Sequence, residues 1–107
     1  MNKILTSKVN LEQFENKSLL IVDDDDPFRN RLSKAMENKG FLVTSASSVS
    51  EAIQKVKVSP PTFAIIDLRL NDGSGLDVVK EIHKVNLHYH DNISLKDKDI
   101  QVCYLHL

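Results

Sequence analysis

The sequence predicts an α/β fold, a doubly wound parallel sheet, from three observations. Leu19-Leu20-Ile21-Val22 and Phe63-Ala64-Ile65-Ile66 are short continuous apolar runs, the texture of strands buried on both faces. Segments of helical period with start and stop signals separate the runs. The resulting order, strand–helix three times over, implies parallel pairing through right-handed crossovers.

The first strand spans about residues 18–22. Asp26-Pro27 follows as an N-cap with proline at the first helical position. Phe28, Leu32, Ala35 and Met36 then recur at helical spacing, and Gly40 supplies the stop. A second strand is expected at residues 41–45. Ser48-Val49-Ser50-Glu51 reads as a capping box opening a helix with Ala52, Ile53 and Val56 on one face. Pro60-Pro61 ends that helix, and the third strand falls at residues 62–66. The Gly-rich loop Asn71-Asp72-Gly73-Ser74-Gly75 leads to a third helix with Leu76, Val79 and Ile82 inward. Three parts result: a polar leader at 1–17, a regular body at 18–84, and a tail at 85–107 of different texture. Within the tail, residues 86–99 read as loop and 100–105 as a candidate fourth strand.

The chain has 107 residues, enough for one modest core. A net charge of −1 gives no support for a general nucleic-acid or membrane surface. No apolar stretch approaches the roughly 18 residues of a spanning helix, and the N-terminus does not read as a signal peptide. Cys103 is the single cysteine, so neither a disulfide framework nor a thiolate metal site is expected, and a reducing cytoplasm fits.

Both strand-like runs finish in acid: Asp23-Asp24-Asp25-Asp26 after the first, Asp67 after the third. Open α/β sheets bind ligands at the carboxyl ends of their strands. If the two strands are neighbours, Asp23, Asp24 and Asp67 converge. Three carboxylates cannot sit together ionised without a counter-charge. A hard divalent cation with oxygen ligands, Mg²⁺ above all, is the simplest way to hold them. The plainer reading is a helix N-terminus enriched in acid to suit its dipole. That suits Asp25 and Asp26, the latter as cap. For the other three it would need two strands to end in acid by chance. Asp72 and Asp77 read as turn and cap residues, and Gly73 and Gly75 as turn geometry. No Gly-Lys-Ser/Thr follows, so the loop is no P-loop. His88 and His90 stand at the spacing of a metal pair on a strand, but nothing anchors such a site, and they read with His106 as solvated. His83 reads as a favourable charge at the end of the third helix.

The runs LLIVDDDDPFRNRL and AIIDLRLNDGSGLDVVKEI, and the distance between them, resemble the receiver domain of two-component response regulators. Within that superfamily the wording is similar to the redox-responsive RegA/ActR/PrrA group. The resemblance covers residues 18–84. It implies a flavodoxin-like, receiver-type sheet, incomplete at about three to four of five strands. It implies Asp67 as phosphoacceptor, attacking the phosphohistidine of a sensor histidine kinase. Asp24 matches a direct Mg²⁺ ligand, Asp23 its partner through a metal-bound water, and Arg69 the position whose backbone carbonyl completes the site. The physical reason is that phosphoryl transfer consists mostly of positioning and charge neutralisation. The resemblance further implies a cytoplasmic signalling module, not an enzyme, with a kinase and a second receiver as partners, and redox-responsive transcription control in the full-length family.

The sequence also departs from the family. Receivers carry a Thr or Ser at the end of strand four and a Lys, usually before Pro, at the end of strand five. No Thr follows Thr62, and there is no Lys-Pro. If residues 100–105 replace strand four, Tyr104 falls near the hydroxyl position. Lys96 and Lys98 lie in loop-like sequence and take no role. The expectations are weakened phosphotransfer, doubtful switching and a bared sheet edge. The change of texture after Lys84 reads as a truncation or change of frame. The competing reading is therefore a degenerate receiver acting only as a non-catalytic interaction module. A Mg²⁺-dependent phosphatase wants a second acid two residues after its Asp, where this chain has Arg69. Direct DNA binding finds no recognition-helix pattern and no basic patch.

Overall fold

The computed structural model describes residues 17–89 and 101–105; the expected leader up to residue 16, and His90, Asp91, Lys96, Lys98 and His106, lie outside them. The elements are β1 (Ser18–Val22), α1 (Asp26–Asn38), β2 (Leu42–Ala46), α2 (Val49–Val58) and β3 (Phe63–Asp67). A short hairpin follows, of β4 (Arg69–Leu70) and β5 (Gly73–Ser74), then α3 (Gly75–Tyr89) and β6 (Gln101–Leu105). The main sheet has the order β2-β1-β3-β6, with every pairing parallel. The doubly wound sheet expected from the sequence is present.

Alternation along the strands explains why the sheet is covered on both faces. Leu19, Ile21, Phe63 and Ile65 point to one side, where they pack with Met36 of α1 and Phe41. Leu20, Val22, Ala64 and Ile66 point to the other, against Val49, Ala52 and Val56 of α2 and Val78, Val79 and Ile82 of α3. Helices thus flank a sheet whose central strands have no solvated face. Among the described residues, no helix is long and apolar enough to cross a membrane.

Several local expectations shift, each for a physical reason. The cap of α1 is Asp25, not Asp26: its side chain accepts from the Phe28 N–H at 3.1 Å. Asp26 instead pairs with Arg29 at 2.7 Å. Within α1 only Met36 is buried, and Ala35 is exposed. Gly40 ends the helix as expected, with φ 104° in the left-handed region. β2 begins one residue later than the sequence suggests. Phe41 is tucked edge-on against Phe63, ring centroids 5.1 Å apart, and the ladder opens at Leu42.

The capping box of α2 is displaced by one residue. Ser48 Oγ accepts from the Glu51 N–H at 3.1 Å, but Glu51 reaches back to the Ser47 N–H at 2.9 Å, not to that of Ser48. β3 includes Asp67, which stands opposite Leu105. In α3, Leu76 is 47 % exposed and Val78 is fully buried in its place. The helix starts at Gly75, so the stripe that meets the sheet is Val78, Val79 and Ile82. α3 continues to Tyr89, past Lys84, which places His83 inside the helix and His88 in its last turn.

Candidate functional site

The register of the sheet brings the acids together. Val22 stands opposite Ile66, so Asp23 and Asp67, one step beyond, reach the carboxyl edge side by side. The Asp23 N–H donates to the Ala46 carbonyl at 3.1 Å, which holds the first residue past β1 against the end of β2. Asp24 follows at the mouth, half-buried, while Asp23 is fully buried and Asp67 3 % exposed. One carboxylate oxygen from each of the three lies within 4.8 Å of the others. The point where the strand order reverses, between β1 and β3, is where open α/β sheets form a binding crevice.

The hydrogen bonds show which oxygens are committed. Asp23 Oδ1 accepts from the Asp25 N–H at 2.8 Å. Asp67 Oδ1 accepts from the Arg69 N–H at 2.9 Å, and Asp24 Oδ2 from the Asn71 N–H at 3.0 Å. Asp23 Oδ2 is buried without a hydrogen-bond partner. Burial pushes the Asp23 carboxyl above its ordinary value. The Asp25 N–H opposes this, and the charges of Asp67, Asp24 and Asp25 reinforce it. Arg29 does not neutralise the pocket: its guanidinium donates to the Asp23 backbone carbonyl at 2.8 Å and pairs with Asp26.

This donor set fits a hard divalent cation. It offers three carboxylates, one of which also carries a buried, unpartnered oxygen, at a place that lacks a counter-charge from Arg29. A soft or borderline metal would want nitrogen or sulfur. Asp23, Asp24 and Asp67 are therefore brought together as expected. Arg69 lies beside them through its backbone, with its side chain exposed. Tyr104 stands opposite Ile66 in the β3–β6 register, one step before the level of Asp67.

Two contributors escaped the sequence reading. Asn71 supplies a backbone N–H to Asp24 from the turn of the β4–β5 hairpin. Gly75 is needed for close approach: its N–H donates to the Leu68 carbonyl at 3.0 Å, and a Cβ there would lie 2.2 Å from the Asp67 carbonyl oxygen. The Gly-rich spacing was the only signal for either. Asp72, expected to serve its own turn, instead accepts from the N–H groups of Val49 and Ser50 at the start of α2.

Comparison with known proteins adds to this geometry. The family profile described as "Response regulator receiver domain" matches residues 19–94. The acid tolerance regulatory protein ActR of Rhizobium meliloti is 61% identical over 67 residues, covering 63% of this chain and 34% of the relative. The photosynthetic apparatus regulatory protein RegA of Cereibacter sphaeroides is 51% identical over 69 residues, covering 64% of this chain and 38% of the relative. The chain thus spans about a third of the length of these curated relatives. Among solved structures, a Burkholderia pseudomallei response regulator with a phosphorylated aspartic acid, calcium ion and citrate superposes with TM-score 0.68. It is 24% identical, covers 85% of this chain and 47% of that one, and speaks for the fold alone. The Thermotoga maritima response regulator TrrA in complex with Mg²⁺-BeF superposes with TM-score 0.62 at 26% identity, covering 81% of this chain and 85% of that one.

Proposed function

The chain belongs to the response regulator receiver domain family, and from that premise we propose that it accepts a phosphoryl group on Asp67 from a sensor histidine kinase, with Mg²⁺ held by Asp23, Asp24 and Asp67 and the backbone carbonyl of Arg69. The observation that carries this reading is the convergence of three carboxylates within 4.8 Å, one of them with a buried, unpartnered oxygen. In support, the TrrA response regulator, 26% identical to this chain, is in complex with Mg²⁺-BeF.

Each residue has a distinct task. A free Asp67 carboxylate oxygen attacks phosphorus as the bond from phosphorus to the donor histidine nitrogen breaks. An acyl phosphate forms and the electron pair leaves with the nitrogen. The Arg69 N–H on Asp67 Oδ1 fixes the carboxylate plane, which leaves Oδ2 as the nucleophile. Asp23 and Asp24 anchor the cation from the end of β1. Mg²⁺ when bound neutralises charge that spreads over the transferring oxygens. ActR and RegA are named as regulatory proteins, which supports a regulatory role for the longer protein. On the family resemblance of the sequence we propose a cytoplasmic relay with redox state as its signal, the kinase and a second receiver being its partners.

The test is mass spectrometry of the intact chain after incubation with acetyl phosphate, with and without Mg²⁺, beside Asp67→Asn. The expected result is a Mg²⁺-dependent gain of one phosphoryl group that the variant loses. A folded chain that gains none would sink the phosphoacceptor reading in favour of a non-catalytic interaction module.

A further inference from the structure

The β4–β5 hairpin is a strap between two regions. Its Arg69 and Asn71 N–H groups hold Asp67, at the end of β3, and Asp24, just past β1. Its turn is the dipeptide Asn71-Asp72, with Arg69 opposite Ser74 and Leu70 opposite Gly73. Asp72 then reaches away from the pocket to the N-terminus of α2. Oδ1 accepts from the Val49 N–H at 2.8 Å and Oδ2 from the Ser50 N–H at 3.2 Å.

These two donors are otherwise unserved at that helix end. Ser48 caps only the Glu51 N–H with its side chain, and its carbonyl takes the Ala52 N–H. Any helix leaves its first N–H groups without intrahelical partners. Here the missing acceptor comes from a residue more than twenty positions along the chain. The carboxylate also sits where the α2 dipole favours negative charge. Leu70, at the hairpin's start, is buried in the same cluster as Val49. The strap is therefore fixed at both ends: by packing and Asp72 to α2, by two backbone N–H groups to the acids.

We propose that Asp72 is a positioning residue, clamping the β4–β5 hairpin to the N-terminus of α2 and so setting how Asp24 and Asp67 are presented to Mg²⁺. This rests on the Mg²⁺ reading of the acid pocket above. Coupling between two sites is reciprocal, so Mg²⁺ in the pocket also steadies the Val49 and Ser50 amides. Asp72 lies outside the cluster of three acids and acts only through Asn71 and Arg69.

The experiment compares the full chain with Asp72→Ala, Asp72→Asn and Ser48→Ala by titration calorimetry with Mg²⁺, together with amide hydrogen exchange at Val49 and Ser50. Ser48→Ala removes a bond at the same helix end but leaves the hairpin untouched, so it controls for simple loss of helix stability. Asp72→Ala is expected to bind Mg²⁺ about fivefold more weakly or worse, Asp72→Asn to fall between it and the wild type, and Ser48→Ala to match the wild type. Mg²⁺ should slow exchange at Val49 and Ser50 in the wild type only where Asp72 is intact. Equal Mg²⁺ affinity in folded Asp72→Ala and wild type overturns the proposal, as does an equal loss in Ser48→Ala. Should Asp72→Ala fail to fold, Asp72→Asn decides, and wild-type affinity in it overturns the proposal. A wild-type chain that takes up no Mg²⁺ overturns the reading of the pocket itself, and this proposal with it.

Discussion

Gly75 sits against the backbone of Asp67 so closely that a Cβ on it would lie 2.2 Å from the Asp67 carbonyl oxygen and 2.8 Å from Ile66 Cγ2. Backbone cannot yield as a flexible side chain does, so the contact ties the start of α3 to the end of β3. The same glycine donates its N–H to Leu68, which closes the loop that carries Arg69 and Asn71 to the acids. The first turn of α3 and the end of β3 are thereby held together through backbone.

Gly75→Ala is accordingly expected to act on both stability and the site. Overpacking of a tight contact costs about 1–3 kcal/mol, read as a fall in the urea midpoint. The displaced β3 terminus should also slow phosphorylation by acetyl phosphate beyond what the loss of folded chain explains. Gly73, with φ 152°, has Val49 Cγ2 at 3.6 Å from a built Cβ, an ordinary contact. Gly73→Ala should therefore cost stability through backbone strain while leaving the rate on the folded fraction close to normal. Equal rate effects at the two glycines would refute the close-approach argument.

Much of this was legible in the residues. Continuous apolar runs that end in acid pick out β1 and β3, and parallel order follows from the alternation with helices. The juxtaposition of Asp23 with Asp67 then needs only that β1 and β3 be adjacent. What sequence could not supply was anything decided by a partner far along the chain. Asp72 looks like a turn residue because its acceptors lie on α2. Asp26 looks like the cap because Asp-Pro is a strong local signal, yet Asp25 has the side-chain geometry to reach the Phe28 N–H. Leu76 looks like core because helical spacing has no origin until the helix's first turn is placed.

That last point is testable. Val78 is fully buried between α3 and the sheet, whereas Leu76 is 47 % exposed. Val78→Ala removes buried methyl groups from a packed cluster and should cost about 2 kcal/mol. Leu76→Ala should change stability by about 0.5 kcal/mol or less, as for surface sites. Urea denaturation of both variants at constant m-value decides. A larger cost at Leu76 would mean that the helix is rotated toward the stripe its spacing first suggests.

The acid pocket and the start of α2 make stability depend on pH in opposite senses. Burial, with the charges of Asp67 and Asp24 added, raises the Asp23 carboxyl above its ordinary 3.8. The unfolded chain then loses its proton first, so stability falls as pH rises from 3.8 through the folded value, and the full penalty holds above it. Glu51 is lowered from 4.5 by the Ser47 N–H, and Asp72 from 3.8 by the Val49 and Ser50 N–H groups. Their contributions are present above those ordinary values and are lost as pH falls through the lowered ones. Asp23→Asn removes only the first effect. Without metal at neutral pH it should stabilise the fold, because it removes a buried charge that faces the carboxylates of Asp67 and Asp24. The gain should shrink on acidification and vanish below 3.8, where Asp23 is protonated in both states. Mg²⁺ should reverse the ranking: the wild type gains about 2.7 kcal/mol at a hundred times Kd, and the variant gains less because it lacks one carboxylate. Thermal melts across pH, with and without Mg²⁺, read both effects. A variant less stable than the wild type in the metal-free neutral state would mean that the weakening of the Asp25 N–H bond, no longer made to a charged acceptor, outweighs the relief of the buried Asp23 charge.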